Sequence, residues 1–241
     1  MNLIFDVGNT LIKVAVFEQK QCFKHTAYNS LQDWIKDDWL QHYTISHVMV
    51  SSVTQNQDEI INYLTQLNLP TLLFTSALIS PITNLYQTKN TLGSDRLAAA
   101  VGGYTHYPNQ NVLTIDAGTC IKYNITTANN QYLGGAISPG MRLRYQAMHD
   151  YTAKLPLLSV DTNYNEMLGT NTAASITTGA QLGAVAEIDG FIDYYKTQYA
   201  NLKIILTGGD SSYFENRLKN KIFADELLLL RGLNYILNLN S

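Results

Sequence analysis

Two short stretches carry the residue types best suited to phosphate chemistry. In Ile4–Val14, IFDVGNTLIKV, an aspartate, a glycine and two small polar residues stand between apolar runs. A second version, VLTIDAGTCI at Val112–Ile121, repeats the order near the middle of the chain: Asp116 answers Asp6, Gly118 answers Gly8 and Thr119 answers Asn9. A glycine in a tight turn lets backbone N–H groups approach a phosphate with no side chain in the way. A carboxylate at the end of a strand can hold Mg²⁺ directly or through water. Asn9 and Thr10 offer hydrogen bonds to phosphate oxygens, and Lys13 can reach back from the following strand. One such turn alone serves equally well as a plain hairpin; the repetition favours ligand binding. Neither copy is a Walker loop, because no Gly-Lys-Ser/Thr follows at the required spacing.

A third group is Leu92-Gly93-Ser94-Asp95-Arg96, at the predicted start of a helix. First-turn N–H groups favour anions. Asp95 there can accept a proton from a hydroxyl and Arg96 can clamp a carboxylate; the same residues also make an ordinary N-cap with a solvated arginine. Small residues gather again in Gly134-Gly135-Ala136-Ile137-Ser138-Pro139-Gly140 and in Thr207-Gly208-Gly209-Asp210, each around the end of a strand. Such clusters indicate a close backbone approach, to a ligand or to another strand. The five histidines form no metal-binding spacing, and no Gly-x-Ser-x-Gly elbow occurs.

The elements that must position these residues follow from periodicity. Leu3–Asp6 and Leu11–Phe17 read as an antiparallel hairpin. Ser30–Gln41 has helical spacing, Ile45–Val50 is a strand ended by Ser51-Ser52, Gln57–Leu67 is an amphipathic helix and Thr71–Phe74 a short strand. Residues 81–90 read as a loop and Leu92–Tyr104 as a helix, followed by a turn cluster at Pro108–Asn111. The second half repeats the hairpin as Val112–Asp116 and Ile121–Thr126. It continues with a strand at Tyr132–Ile137 and helices at Met141–Asp150 and Asn171–Tyr199. A strand at Lys203–Leu206, a short helix at Ser212–Lys219 and a closing strand and helix over Leu227–Leu239 complete it. The order indicates an α/β fold made of two related halves, 1–108 and 109–241.

Composition narrows the class. The chain has 241 residues and a formal charge of −3, so no basic field draws in nucleic acid. Cys22 and Cys120 are far apart and predict reduced thiols in a cytoplasmic protein. The N-terminus lacks the basic region of a signal peptide, and no apolar run approaches the ~18 residues of a membrane span.

Taken in order, the motifs resemble one family, type III pantothenate kinase. The resemblance covers nearly the whole chain. It rests on Asp6–Thr10, Leu92–Arg96, Asp116–Thr119, Gly134-Gly135, Ile137, Pro139-Gly140, Thr152-Ala153, Leu155-Pro156, Asn171-Thr172 and Thr207–Asp210. It implies a duplicated ribonuclease-H-like fold of the acetate/sugar kinase and actin superfamily, with two halves around a central cleft. The implied reaction is ATP-dependent phosphorylation of pantothenate, in a homodimer that uses Mg²⁺ and a monovalent cation, K⁺ or ammonium. By position, Asp6, Val7, Gly8, Asn9, Thr10, Leu11, Ile12 and Lys13 would bind ATP, with Asp6 near Mg²⁺ and Thr119 a further ATP contact. Asp95 would be the general base. Tyr86, Gly93, Ser94, Asp95, Arg96 and Thr172 would bind pantothenate, Thr172 from the second half or a partner subunit. Asp116 would hold the monovalent cation.

The sequence departs from the family pattern at three places. Lys89 stands where proline is common, Cys120 replaces a usual alanine, and Lys122 stands where a small or hydroxyl residue is common. Two other readings compete. One is a kinase of the same superfamily acting on a sugar or carboxylate. The other is a nucleotide-binding regulator without catalysis, against which the presence of both Asp6 and Asp95 argues.

Overall fold

The computed structural model describes residues 1–53 and 57–241. In chain order its elements are β1 (Asn2–Val7), β2 (Ile12–Glu18), β3 (Gln21–Tyr28), α1 (Leu31–Lys36), β4 (His47–Ser52), α2 (Gln57–Gln66), β5 (Thr71–Leu73), β6 (Thr83–Asn84) and α3 (Ser94–His106). Next come β7 (Val112–Ala117), β8 (Cys120–Thr126), β9 (Gln131–Gly134), β10 (Ile137–Pro139), α4 (Met141–Asp150), α5 (Thr172–Thr177) and α6 (Gly183–Gln198). The last are β11 (Lys203–Thr207), α7 (Ser211–Glu215), β12 (Phe223–Ala224) and α8 (Leu228–Asn240). They form two compact units. Unit 1 comprises Met1–Asn109, Thr126–Leu133 and Leu227–Ser241; unit 2 comprises Gln110–Ile125 and Gly134–Glu226.

Unit 1 is built on a five-stranded sheet in the order β3-β2-β1-β4-β5. β1 is central and buried along its whole length, which its nearly continuous apolar sequence permits. It runs antiparallel to β2 and parallel to β4. Alternation splits its side chains between two cores. Leu3, Phe5 and Val7 pack with Trp34 of α1 and with Ile60 and Leu64 of α2. Ile4 joins Ala15, Met49 and the α3 and α8 residues Leu97, Val101, Leu230 and Leu233 on the opposite face. The two helices on that face approach closely because glycines meet. A Cβ on Gly102 would lie 2.2 Å from the Leu228 carbonyl oxygen, and one on Gly232 would lie 2.1 Å from that of Ala98.

In unit 2 the strands follow the order β12-β11-β7-β8, with β10 paired to β8. β7 and β11 are parallel. Leu113, Ile115 and Ala117 of β7 pack with Ile121, Tyr123, Ile204, Leu206 and the α6 residues Ala184, Ile188 and Ile192. By alternation Thr114 and Asp116 lie on the other face.

The hairpins, the helix Met141–Asp150 and the strand at Lys203–Leu206 lie where periodicity puts them. The differences have local causes. The expected helix Ser30–Gln41 breaks at Asp37, which leaves helical geometry and caps a following 3₁₀ turn, Asp38–His42, by accepting from the Trp39 N–H at 3.4 Å. Ser51 and Ser52 continue β4 rather than end it. The expected strand Tyr132–Ile137 divides at Gly134 and Gly135, whose φ values of +114° and +156° interrupt a pleated strand. The long helix Asn171–Tyr199 is present as α5 and α6 joined by a π-helical turn, Thr178–Leu182. α7 ends at Glu215, short of Lys219, and the closing strand is Phe223–Ala224.

Candidate active site

In unit 1 the sheet register places the candidate residues. Asp6, buried at 8% exposure, is the ladder partner of Lys13 on β2 and of Ser51 on β4. Asp6 shares the face of Ile4, Lys13 that of Ala15 and Ser51 that of Met49, the face covered by α3. Beyond Asp6 the Gly8 N–H donates to the Leu11 carbonyl at 3.0 Å and closes the turn. Asn9, Thr10 and Leu11 are exposed, so the backbone of this turn is open to a ligand.

Helix α3 is tied to β4 at the same level. The Ser51 hydroxyl donates to Ser94 Oγ at 3.1 Å, and Ser94 Oγ donates to the Ser52 carbonyl at 3.1 Å. Asp95 follows at once. Its Oδ1 accepts from the Arg96 N–H at 2.8 Å, folded over Gly93, where a Cβ would come within 2.5 Å of that oxygen. Arg96 is only 5% exposed, and its guanidinium carbon stands 5.5 Å from the centre of the Tyr86 ring. Tyr86 is located by the β6–β9 ladder: the Leu85 N–H donates to the Tyr132 carbonyl at 2.9 Å, and the Tyr86 and Tyr132 rings lie 6.3 Å apart. Burial pushes the Tyr132 hydroxyl up to about 12, against the opposing charge of Arg96. Unit 1 thus brings Ser94, Asp95, Arg96 and Tyr86 together and sets Asp6 and Lys13 on the same side of its sheet.

In unit 2 the second Asp-Gly turn is tighter: only Gly118 and Thr119 separate β7 from β8. So short a link between neighbouring strands makes them antiparallel. The Gly118 N–H donates to the Cys120 carbonyl at 3.1 Å. Two other segments press on the backbone here. A Cβ on Gly140 would lie 2.0 Å from the Gly118 carbonyl oxygen; one on Gly208, where φ is +97°, would lie 2.2 Å from that of Ala117. The glycine clusters of the sequence therefore brace this turn. Asp116 is 8% exposed and its Oδ2 accepts from Lys122 Nζ at 2.9 Å. Opposite Asp116 in the β7–β11 ladder is Thr207, whose buried hydroxyl has no hydrogen-bond partner among the described residues. Burial raises the Asp210 carboxyl, with Arg142 opposing.

Thr172 sits elsewhere in unit 2. It lines an open hollow of about 450 Å³ with Met148, Leu155, Asn171 and Ile176, and no residue of the Asp116 turn lines it. Its neighbour Asn171 caps α5 by accepting from the Ala174 N–H at 2.9 Å.

Sequence reasoning left out Ser51 and Tyr132 from the site. Ser51 carries no signal beyond a polar residue at the end of an apolar strand. Tyr132 lies far from Tyr86 in sequence, and the β6–β9 ladder, which no local pattern announces, brings the two together.

The family model of type III pantothenate kinase matches residues 2–194. The type III pantothenate kinase of Flavobacterium johnsoniae is 44% identical over 237 residues, which cover 97% of this chain and 96% of that one. That of Bacteroides fragilis is 39% identical over 242 residues, covering 100% and 99%. Among solved structures, a Campylobacter jejuni protein titled as a Baf family transcriptional activator superposes with a TM-score of 0.67 at 20% identity, covering 98% of this chain and 97% of its own. A ROK family glucokinase from Streptomyces griseus, in complex with glucose and AMPPNP, gives 0.51 at 13% identity, covering 99% and 98%. At those identities the structures speak for the fold alone, a duplicated ribonuclease-H-like, actin-like fold. The full-length relatives and the family model together mean that this chain belongs to the type III pantothenate kinase family.

Proposed function

We infer that the chain transfers the γ-phosphoryl group of ATP to the primary hydroxyl of pantothenate, giving 4′-phosphopantothenate and ADP, the first step of coenzyme A synthesis. The observation that best supports the assignment of residues is the Ser51–Ser94 hydrogen bond, which ties the start of α3 to β4 at the position paired with Asp6 of β1.

In this reading Asp95 is the general base. It orients the pantothenate hydroxyl and takes its proton as the new O–P bond forms and the bond to the ADP oxygen breaks. Arg96 holds the substrate carboxylate and is itself braced on Tyr86; Gly93 and Ser94 line the same pocket. Asp6 through Lys13 bind the ATP phosphates, with backbone N–H groups of the exposed turn and the Lys13 ammonium as donors. For unit 2 we assign Thr119 a further ATP contact, Asp116 the seat of a monovalent positive charge, and Thr172 a substrate contact. The halves 1–108 and 109–241 are the two arms of the duplication.

Among the described residues no three His, Cys, Asp or Glu side chains cluster as a metal cage. That suits Mg²⁺, which commonly uses one or two protein carboxylates and completes its shell with substrate phosphates and water. Asp6 is the carboxylate present for it, and the ion would neutralise charge on the phosphate oxygens. A homodimer accords with Met167 and Leu168, 73% and 77% exposed just before the hollow lined by Gly169 and Thr172. No helix among the described residues is long and apolar enough to cross a membrane, and the substrates of this reaction are those of the cytoplasm.

The test is a coupled assay of ADP release. Pantothenate-dependent release, absent when pantothenate is omitted, is expected. ATP binding by calorimetry with no turnover of pantothenate would instead indicate a nucleotide-binding regulator.

A further inference from the structure

We propose that the Lys122 ammonium takes the place of the monovalent cation at Asp116, so that this kinase turns over without K⁺ or ammonium. The inference rests on the assignment of Asp116 as the seat of a monovalent positive charge.

The family resemblance implies a free cation at Asp116, but the residues present do not fit one. Lys122 Nζ lies 2.9 Å from Asp116 Oδ2, a charge-assisted hydrogen bond at full strength. The two side chains are 23% and 11% exposed, so solvent and salt screen the pair only partly. A K⁺ ion on the same carboxylate would stand within a few ångströms of a second positive charge, in a setting where like charges repel strongly.

The lysine is also well held. Its strand, β8, is bonded to β10 with Lys122 opposite Ile137, and β8 begins straight after the turn braced by Gly140. Alternation along β8 sends Ile121 and Tyr123 into the core behind the sheet and leaves Lys122 on the side of Asp116. The chemistry matches too. Ammonium is one of the two ions that the resemblance implies, and a lysine side chain presents the same –NH₃⁺ donors on a tether. A tethered group acts at a high effective concentration and needs none in solution. An ordinary lysine stays protonated throughout the neutral range.

The experiment compares the whole protein with its Lys122→Thr and Asp116→Ala variants. Two readouts are used: the initial rate of pantothenate-dependent ADP release in tetramethylammonium, sodium, potassium and ammonium buffers, and the melting temperature across a KCl titration matched for ionic strength. The unaltered protein is expected to give rates within about twofold of one another in all four buffers and no K⁺-specific rise in melting temperature. Lys122→Thr is expected to lose on the order of 10–10²-fold in tetramethylammonium, to recover with K⁺ or ammonium, and to gain a K⁺-specific rise in melting temperature. Strong stimulation of the unaltered protein by K⁺ overturns the proposal even if Lys122→Thr fails to fold. So does a Lys122→Thr protein that keeps its full rate in tetramethylammonium. Full activity of Asp116→Ala in every buffer would overturn it differently, by removing Asp116 from the site.

Discussion

The Ser51 hydroxyl donates to Ser94 Oγ across 3.1 Å, joining the strand beside Asp6 to the residue before Asp95. Ser51 is fully buried, so this contact is protected from water. Ser51→Ala removes the donor, while Ser94 keeps its bond to the Ser52 carbonyl. A loss of about 1 kcal/mol is expected in urea unfolding, with a larger proportional fall in kcat than in ATP affinity. Unchanged kcat would mean that the link does not position Asp95.

Asp95→Asn keeps the shape of the side chain and removes its basicity. Turnover should fall by about 10²–10⁴-fold. Calorimetric affinities for ATP and pantothenate should stay near those of the unaltered protein. Near-normal turnover would remove Asp95 as the base.

Gly93→Ala tests the same carboxylate from its other side. The new methyl would come 2.5 Å from Asp95 Oδ1, so the short side chain must swing away from the Arg96 N–H. Folding should be nearly unaffected, since an open N-terminal turn absorbs a methyl. A fall in kcat on the order of 10–10²-fold is expected from the displaced base, with KM for ATP unchanged.

Tyr132 ties stability to alkaline pH. Its hydroxyl, 10.0 in the open, is pushed up to about 12 by burial. The unfolded chain therefore loses this proton first. The contribution is complete below the unfolded value and is lost as pH rises toward the folded one, at up to about 1.4 kcal/mol per pH unit. Urea titrations at about pH 9 and about pH 11 should show a smaller loss for Tyr132→Phe than for the unaltered protein. Equal losses would place the effect on other tyrosines.

Gly208→Ala should damage the second Asp-Gly turn. The residue has φ +97° and its Cβ would lie 2.2 Å from the Ala117 carbonyl oxygen. A cost of about 2–4 kcal/mol is expected from strain and overlap together. Gly209→Ala, with open space at its Cβ, is the control and should cost much less.

Much of this arrangement is legible in the sequence because its elements obey local rules. Short, mostly apolar stretches ending in Asp-x-Gly, Leu3–Phe5 and Val112–Ile115, declare β1 and β7, and the pattern of Gln57–Gln66 declares α2. β3 is not legible. Its sequence, QCFKHTAY, alternates between exposed and half-buried at a sheet edge, and an edge strand needs few apolar residues. Nor is the role of Ser51, which depends on a register between β1 and β4 that no local pattern reports. Lys122 was visible as a departure from the family, but its meaning depends on a 2.9 Å distance to Asp116. Helix α8 is legible as a helix; that it belongs with α3, from before the middle of the chain, is not.

That last pairing bears on how the protein is made. α3, which starts at the Asp95 turn, is covered by α8, with Gly102 and Gly232 letting their backbones meet. On the ribosome, synthesis runs from the N-terminus, and domains ordinarily fold in that order. Here the first unit to begin emerging cannot close until Leu227 onward has left the exit tunnel. Unit 2, whose segments end at Glu226, can complete beforehand. A site built on the start of α3 is therefore assembled late, and a stalled or prematurely ended chain would present the apolar side of α3 to chaperones and proteases rather than a working site.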